Sequence, residues 1–183
     1  MKPILSHLLR LADLPQRKPT HVRLVPDAGQ LEALSDRLGV DALRKLRFEA
    51  TLTPGPGRDW TLEGTLGATV VQPCRVTTDP VTTRLEEVVS RRYSADFDPA
   101  AALVENEETE MDDETLEALP AVLDMGDVLE EVLALAIPAF PRAPGAEDLD
   151  LSVAPPGAEP LTDESVKPFA GLAALRAKLD DGE

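Results

Sequence analysis

The alternation of apolar and polar side chains is strongest in residues 60–74, WTLEGTLGATVVQPC. The large apolar side chains stand at even positions there, and threonine or glutamate fills most of the odd positions. A period of two predicts a β-strand with one buried face, because successive side chains of a strand point to opposite sides of the sheet. Residues 46–52, LRFEATL, alternate in the same way. Proline- and glycine-rich residues 53–57 separate the two stretches, so we predict an antiparallel hairpin.

Shorter patterns extend this hairpin on both sides. Residues 21–25 alternate as a strand does, and residues 28–38 place their leucines on one helical face. Residues 81–97 predict one long strand or two, and Val88 breaks their alternation as a β-bulge would. Residues 3–14 fit a helix and a strand equally well.

Residues 124–137 carry the clearest helical pattern of the chain. Asp124 suits the N-cap, and Pro138 ends the helix. We expect the apolar face of this helix to pack on the sheet, and Glu130→Lys on its acidic face to change melting little. The apolar face consists of Met125, Val128, Leu129, Val132, Leu133 and Ala136. The acidic face consists of Asp127, Glu130 and Glu131.

These elements predict an α+β fold. We expect an antiparallel β-sheet or partly open barrel covered by two or three helices, in a single domain of residues 1–141. A mobile acidic loop is predicted at about residues 98–120, because no apolar period survives there. Residues 142–165, rich in proline and acid, predict a linker, and residues 166–183 predict an amphipathic C-terminal tail.

The charge of the chain is divided unevenly. Residues 1–99 hold 14 basic and 13 acidic side chains, whereas residues 100–183 hold 4 and 21. The second part would repel a phosphate backbone, so any contact with RNA should lie in the first part. We interpret most of the acid as a solubilising feature. The candidate RNA-binding residues are Arg44, Lys45, Arg47, Arg91 and Arg92, although exposed polar positions of a sheet explain them equally well.

No catalytic or metal-binding constellation is recognisable. The single cysteine, Cys74, rules out an internal disulfide and is typical of a reducing compartment, so we expect a cytoplasmic protein. No window is long and apolar enough for a membrane span, and no signal peptide is expected. Cys74 with His7 or His21 would make a nucleophile and base, but no surrounding motif supports the pair. We therefore expect no enzyme activity, cofactor, metal or small-molecule substrate.

Three stretches together resemble the YceD family of proteins linked to accumulation of large-subunit (23S) ribosomal RNA. In residues 66–81, Cys74 matches the second cysteine of the family's Cys-x-x-Cys, whose first position here is Val71. Residues 123–141 resemble its acidic helix followed by two prolines, and residues 168–175, PFAGLAAL, resemble a motif near its C-terminus. The matching motif positions are Cys74, Asp79, Pro80, Asp124, Pro138, Pro168 and Phe169. The amino-acid sequence of residues 43–97 is similar to that of α-proteobacterial members of the family.

The resemblance implies a non-enzymatic factor that supports accumulation, processing or assembly of 23S rRNA and the large subunit. Its candidate partners are the 23S rRNA precursor and large-subunit ribosomal proteins. Many members carry further cysteines after the proline pair, and their absence here removes metal binding from the expectation. Two alternatives stay open. One is an acidic module that binds basic ribosomal proteins without touching RNA, and the other is an enzyme using Cys74.

Overall fold

The computed structural model describes residues 4–97 and 116–146, and the fold below is that of the first of two units, Met1–Ala143. The predicted acidic loop lies outside the described residues except for its last five positions. The predicted linker from residue 147 onward and the whole predicted C-terminal tail also lie outside them.

Ten elements follow one another along the described chain. They are β1 (Leu8–Arg10), a 3₁₀ helix (Leu11–Asp13), β2 (Thr20–Leu24), α1 (Ala28–Leu38), β3 (Ala42–Pro54), β4 (Trp60–Pro73), β5 (Pro80–Ser94), β6 (Leu116–Ala118), β7 (Val122–Asp124) and α2 (Met125–Ala136).

Five strands form the main sheet, in the order β2-β3-β4-β5-β6. Its neighbours run antiparallel except β5 and β6, which are parallel. The predicted β3–β4 hairpin is confirmed, and Gly55 N donates to the carbonyl of Asp59 at 2.7 Å in its turn. The described strands do not close into a barrel, because β2 and β6 each have one neighbour only. The α+β class is confirmed. Of the two predicted forms, the described strands adopt the open sheet.

A second sheet of two strands joins the beginning and the end of the described fold. Strand β1 pairs antiparallel with β7, so that Leu9 lies opposite Leu123. The ambiguous residues 3–14 therefore include a short strand followed by a 3₁₀ turn. Because β7 runs directly into α2, this pairing fixes the N-terminal segment against the start of that helix.

Both helices end as the sequence predicts. The side chain of Asp27 caps α1 in a reciprocal capping box with Gln30, and Gly39 closes the helix in a left-handed conformation at φ 66°. Asp124 caps α2, which ends at Ile137 just before Pro138. A proline cannot donate the backbone hydrogen bond that a further turn would need.

Alternation along β4 defines the two faces of the sheet. The inner face carries Trp60, Leu62, Leu66, Ala68 and Val70, all buried, and the outer face carries the odd-numbered residues between them. Leu34 of α1 and the predicted apolar face of α2 belong to the same apolar cluster as these inner residues. The helices therefore cover the inner face, which is the expected packing.

The structure corrects the prediction of a bulge at Val88. Pairing of β4 with β5 is continuous from Trp60–Tyr93 to Pro73–Pro80, and Val88 lies on the outer face with 84% exposure. The only register shift between described strands lies in β3, between Arg44 and Arg47. The strand β6 also occupies residues that the sequence pattern assigns to the acidic loop. A short parallel edge strand has too few residues for its period to be visible in the sequence.

The acidic face of α2 makes contacts that the sequence pattern does not reveal. Glu130 forms an ion pair at 2.8 Å with Arg37 of α1, and the two side chains are 21% and 19% exposed. Glu131 pairs with Arg91 of β5 at 3.0 Å. These two carboxylates tie the helix to its neighbours instead of facing only solvent.

Candidate nucleic-acid interface

The outer face of the main sheet is open to solvent in the described residues. Directly paired residues of neighbouring strands point to the same side, so Glu49, Thr65 and Val88 form one outer row across β3, β4 and β5. All three are exposed, and neither described helix covers them. This face can therefore meet a large ligand.

The bulge in β3 places two arginines on this face. Arg44 pairs with Thr69 and Arg47 with Gly67, so three steps along β3 match two along β4. In a regular strand, residues three apart face opposite sides, and the extra residue returns Arg47 to the side of Arg44. The bulge forces Lys45 into a left-handed conformation at φ 52°, which is uncommon for a residue with a side chain. Such bulges often re-aim side chains at functional positions.

Two neighbouring rows gather positive charge around the middle strand. Arg84 of β5 lies across Thr69 from Arg44, and its Nη1 donates to the Thr69 hydroxyl at 3.4 Å. In the next row, Arg47 reaches Glu86 at 3.0 Å, and Arg84 forms an ion pair with the same carboxylate. We refer to Arg44, Lys45, Arg47 and Arg84 as the basic cluster.

Glycine at position 67 lets Arg47 lie flat across β4. A β-carbon placed on Gly67 would lie 2.6 Å from Cζ of Arg47, which is too close for a real contact. The guanidinium therefore occupies the space that a side chain would fill, and it covers the buried Gly67. Positive charge lies on the floor of the face as well as along its sides.

Glu86 organises two of the four cations. The hydrogen bond from Arg84, followed by that from Arg47, lowers the pKa of Glu86 against the opposing effect of desolvation. Glu86 is therefore ionised at neutral pH. Arg44 and Lys45 are both exposed and have no ion-pair partner within residues 4–97 and 116–146. Three positive charges of the basic cluster are thus left uncompensated on this face.

The whole outer face is basic although the chain carries a net charge of −16. Among the described residues, the basic side chains of this face are those of Arg23, Arg44, Arg47, Arg84 and Arg92, with the exposed Lys45 in its bulge. The acidic residues of this face are Glu49, Glu63 and Glu86. Such segregation favours a polyanion as the ligand of this face.

The structure brings three of the five predicted binding residues, Arg44, Arg47 and Arg92, to one side of the sheet, and the exposed Lys45 lies in the bulge between the first two. Arg44, Lys45 and Arg47 lie in the basic cluster, and Arg92 is exposed at the far end of β5 on the same face. Sequence reasoning missed Arg84, which joins the cluster from β5. Its even position, shared with Arg92 and opposite to the buried Tyr93, was the signal that could have found it.

Arg91 faces the opposite way. It pairs with Leu62 on the inner face, and its side chain is only 13% exposed. Its two terminal nitrogens contact Glu117 of β6 and Glu131 of α2, each at 3.0 Å. Burial by itself would lower the pKa of Arg91, but the hydrogen bond to Glu131 and the charges of both glutamates raise it. Its contacts join three elements of the fold.

Cys74 organises the turn between β4 and β5. Its N–H donates to the carbonyl of Asp79 at 2.7 Å, and Pro80 then begins β5 opposite Pro73. The segment after α2 docks here, since the carbonyl of Pro138 accepts from the Gln72 amide at 3.1 Å. The carbonyl of Pro141 likewise accepts from Arg75 N at 2.9 Å. Several motif positions that are distant in sequence thus meet at one turn.

The Cys74 sulfur is enclosed by backbone donors. It is 2% exposed and accepts N–H groups from Val76 and Thr77, each at 3.4 Å, and from Ala143 at 3.2 Å. The hydroxyl and N–H of Thr77, then the N–H of Ala143, lower the pKa of the thiol to about 6, although burial opposes them. No group of three His, Cys, Asp or Glu side chains suited to a metal occurs in the part of the chain that the structure describes.

Asp124 is a junction between three segments. Its carboxylate accepts from Gly126 N at 2.9 Å as the cap of α2, and from Ser6 Oγ and His7 N at 2.7 Å each. Desolvation raises the pKa of Asp124, but the bonds from His7, Ser6 and Gly126 outweigh it and lower the pKa overall. The side chain thus caps the helix and holds the N-terminal segment.

Comparison with known proteins gives one family. Residues 62–176 match the family model described as large ribosomal RNA subunit accumulation protein YceD. Pro168 and Phe169 fall within this match but outside the described residues. No curated protein and no solved structure matches the chain. Within the described residues, no helix has the length and hydrophobicity to cross a membrane.

Proposed function

The chain belongs to the YceD family, and on that premise we propose that it supports the processing or assembly of 23S rRNA and the large ribosomal subunit by binding. In this proposal the protein works in the cytoplasm, where it contacts the rRNA precursor through the outer face of its sheet. The family name supports the link to large-subunit RNA. The mode of contact is our proposal from the geometry of the face.

The observation that carries the proposal is the position of the basic cluster. Arg44 and Arg84 flank Thr69 on an open sheet face, and Arg47 lies across Gly67 beside them. A polyanion binds most favourably where cationic side chains are accessible and held in a fixed position. Because the rest of the chain is strongly acidic, this face offers phosphate its most favourable approach.

A binding role also suits the surroundings of Cys74. Its sulfur accepts hydrogen bonds from Thr77 and from backbone N–H groups of Val76 and Ala143, and these bonds hold the turn together. The sulfur is also shielded from solvent. We therefore assign the Cys74 turn a structural role, in which it holds the segment after α2 against β4 and β5.

The alternative is an acidic module that captures basic ribosomal proteins. The charge division favours it, since residues 100–183 carry 21 acidic and only 4 basic side chains. In that case removal of residues 105–114, which include seven acids, would weaken complex formation, and changes in the basic cluster would matter little.

The test is complementation of cells that lack the protein. The triple variant Arg44→Gln, Lys45→Gln, Arg84→Gln removes three charges from the outer face. The matched control Arg10→Gln, Arg17→Gln, Lys18→Gln removes three exposed charges from the segment before β2. We expect loss of the protein to lower the ratio of large to small subunits, and the control but not the triple variant to restore it.

Each outcome decides one part of the proposal. A normal subunit ratio without the protein would refute the ribosomal role. A lowered ratio that both variants restore would refute the role of the basic cluster. If only the variant that lacks residues 105–114 does not restore the ratio, the acidic module is favoured.

A further inference from the structure

We infer that the outer face binds the sugar–phosphate backbone of helical RNA and does not read unpaired bases. This inference rests on the proposed function and specifies its ligand. It follows from the type and the length of the side chains on the face, and from the types of side chain that the face lacks.

The middle strand forms the floor of a shallow trough. Its outer side chains near the basic cluster are short, with Thr65, Gly67 and Thr69 in succession. The flanking strands carry the longer Arg44 on one side and Arg84 on the other. Neighbouring strands lie about 4.8 Å apart, so the two sides stand roughly 10 Å from each other. The guanidinium groups of Arg47 and Arg84 reach over this floor, so a sugar–phosphate backbone laid along β4 would meet positive charge beneath it and Arg44 at its side.

The chemistry of the trough suits phosphate and ribose. Guanidinium groups recognise phosphate oxygens through paired N–H donors, and Arg47 already presents its guanidinium flat on the floor. Thr65 and Thr69 add hydroxyls that can donate to phosphate oxygens or bond a ribose 2′-hydroxyl. Glu86 fixes Arg47 and Arg84 before any ligand arrives, which reduces the conformational entropy that binding costs.

The outer face lacks a large aromatic platform for unpaired bases, and its one exposed ring, that of His21 on the edge strand β2, contacts the Thr51 hydroxyl at 2.9 Å. Phe48, Trp60 and Tyr93 all point to the inner face and are at most 3% exposed. The outer positions of β2 to β5 carry no phenylalanine, tyrosine or tryptophan. Stacking of a base on an aromatic side chain contributes about 1–3 kcal/mol to the binding free energy, and no phenylalanine, tyrosine or tryptophan on this face can provide it. The bases of helical RNA are already stacked on one another, and its phosphates are close together. Its binding free energy therefore depends least on aromatic side chains of the protein.

The direct test uses the purified full chain and two probes of equal length. One probe is an RNA duplex of mixed sequence, and the other is single-stranded oligouridine. Fluorescence anisotropy at several salt concentrations gives each affinity and its salt dependence. We expect the duplex to bind at least about tenfold more tightly. For the triple variant, the slope of log K against log salt should become shallower by up to about 2.7, at about 0.9 for each phosphate that the protein no longer neutralises.

The control variant from the N-terminal segment should keep the wild-type slope, because its three charges lie outside the trough. Tighter binding of oligouridine would overturn the inference, and so would a triple variant with an unchanged slope. If the face instead binds an acidic protein segment, the RNA-binding slope of the triple variant would be unchanged. If the subunit ratio still falls in cells without the protein, the ribosomal role stands: tighter binding of oligouridine then refutes only the preference for helical RNA, and an unchanged slope refutes RNA contact through the basic cluster.

Discussion

Replacement of Arg91 by methionine tests whether this residue holds the fold together or belongs to the binding surface. Methionine keeps most of the apolar stem and removes the charge. The change breaks two ion pairs of 3.0 Å that connect β5 to Glu117 and to Glu131. The stem packs at an inner-face position, so the variant should fold with the same topology.

The magnitude follows from the exposure of the three groups. Hydrogen bonds to charged groups contribute roughly 1.5–3 kcal/mol when buried, and exposed ion pairs contribute about 0–1 kcal/mol. Arg91 is 13% exposed, but Glu117 and Glu131 are 43% and 55% exposed and would regain water in the variant. We therefore expect a decrease of about 1–3 kcal/mol in the free energy of unfolding.

Urea unfolding followed by the fluorescence of the buried Trp60 measures this decrease. Arg44→Met is the control, since Arg44 is exposed without an ion-pair partner in the described residues, and it should change stability by less than about 0.5 kcal/mol. A double-mutant cycle with Glu131→Gln should give a coupling of about 0.5–1.5 kcal/mol. Unchanged stability in Arg91→Met, together with weaker RNA binding, would show that our assignment of Arg91 to the inner face is wrong.

Three further predictions concern the packing and the two titrating side chains. Leu129→Asp should cost several kcal/mol, because Leu129 is 0% exposed in the apolar cluster; an unchanged melting temperature would mean that the face of α2 is wrongly assigned. Asp124→Asn should lower stability at neutral pH. Since the folded pKa of Asp124 lies below its usual value, the parent's advantage should be full above about pH 4 and fade as the pH falls through the folded value; a difference that does not change with pH would count against it. The thiolate absorbance of Cys74 at neutral pH should exceed that of the Cys74→Ser variant, with a midpoint at pH of about 6, whereas a midpoint near 9.0 would contradict the hydrogen bonding of the sulfur.

Local periodicity was enough to predict most of the sheet and both helices. The alternation in β3 and β4 gave the inner face, and Asp27, Gly39 and Asp124 marked the helix ends. Each of these signals acts within a few residues of the chain. The open sheet and its order needed tertiary pairing, which no local pattern contains.

The candidate interface was only partly predictable, because a bulge changes which side chains share a face. In a regular β3, Arg44 and Arg47 would lie on opposite sides, and only the extra residue at Lys45 brings them together. The assignment of Arg91 and Arg92 to one surface, by contrast, ignored the period of two. Adjacent strand residues face opposite sides, so the two arginines could not both line one face.

The role of the Cys74 turn lay beyond sequence reasoning for a different reason. Ala143 contacts the Cys74 sulfur, and Pro138 contacts Gln72, across more than 60 residues of chain. The motif positions could be recognised one by one, but their meeting at one turn depends on how α2 returns to the sheet. The ion pair between Glu130 and Arg37 depends on the same packing.

Crosslinking in living cells tests the central claim most directly. Cells expressing the tagged protein would be irradiated, and the RNA attached to it would be sequenced. We predict that 23S rRNA precursor is enriched, with sites in or beside helical regions, and that the variant lacking the charges of Arg44, Lys45 and Arg84 loses this enrichment. A protein that sediments with large-subunit precursors but attaches to no ribosomal RNA would contradict direct recognition through the basic cluster.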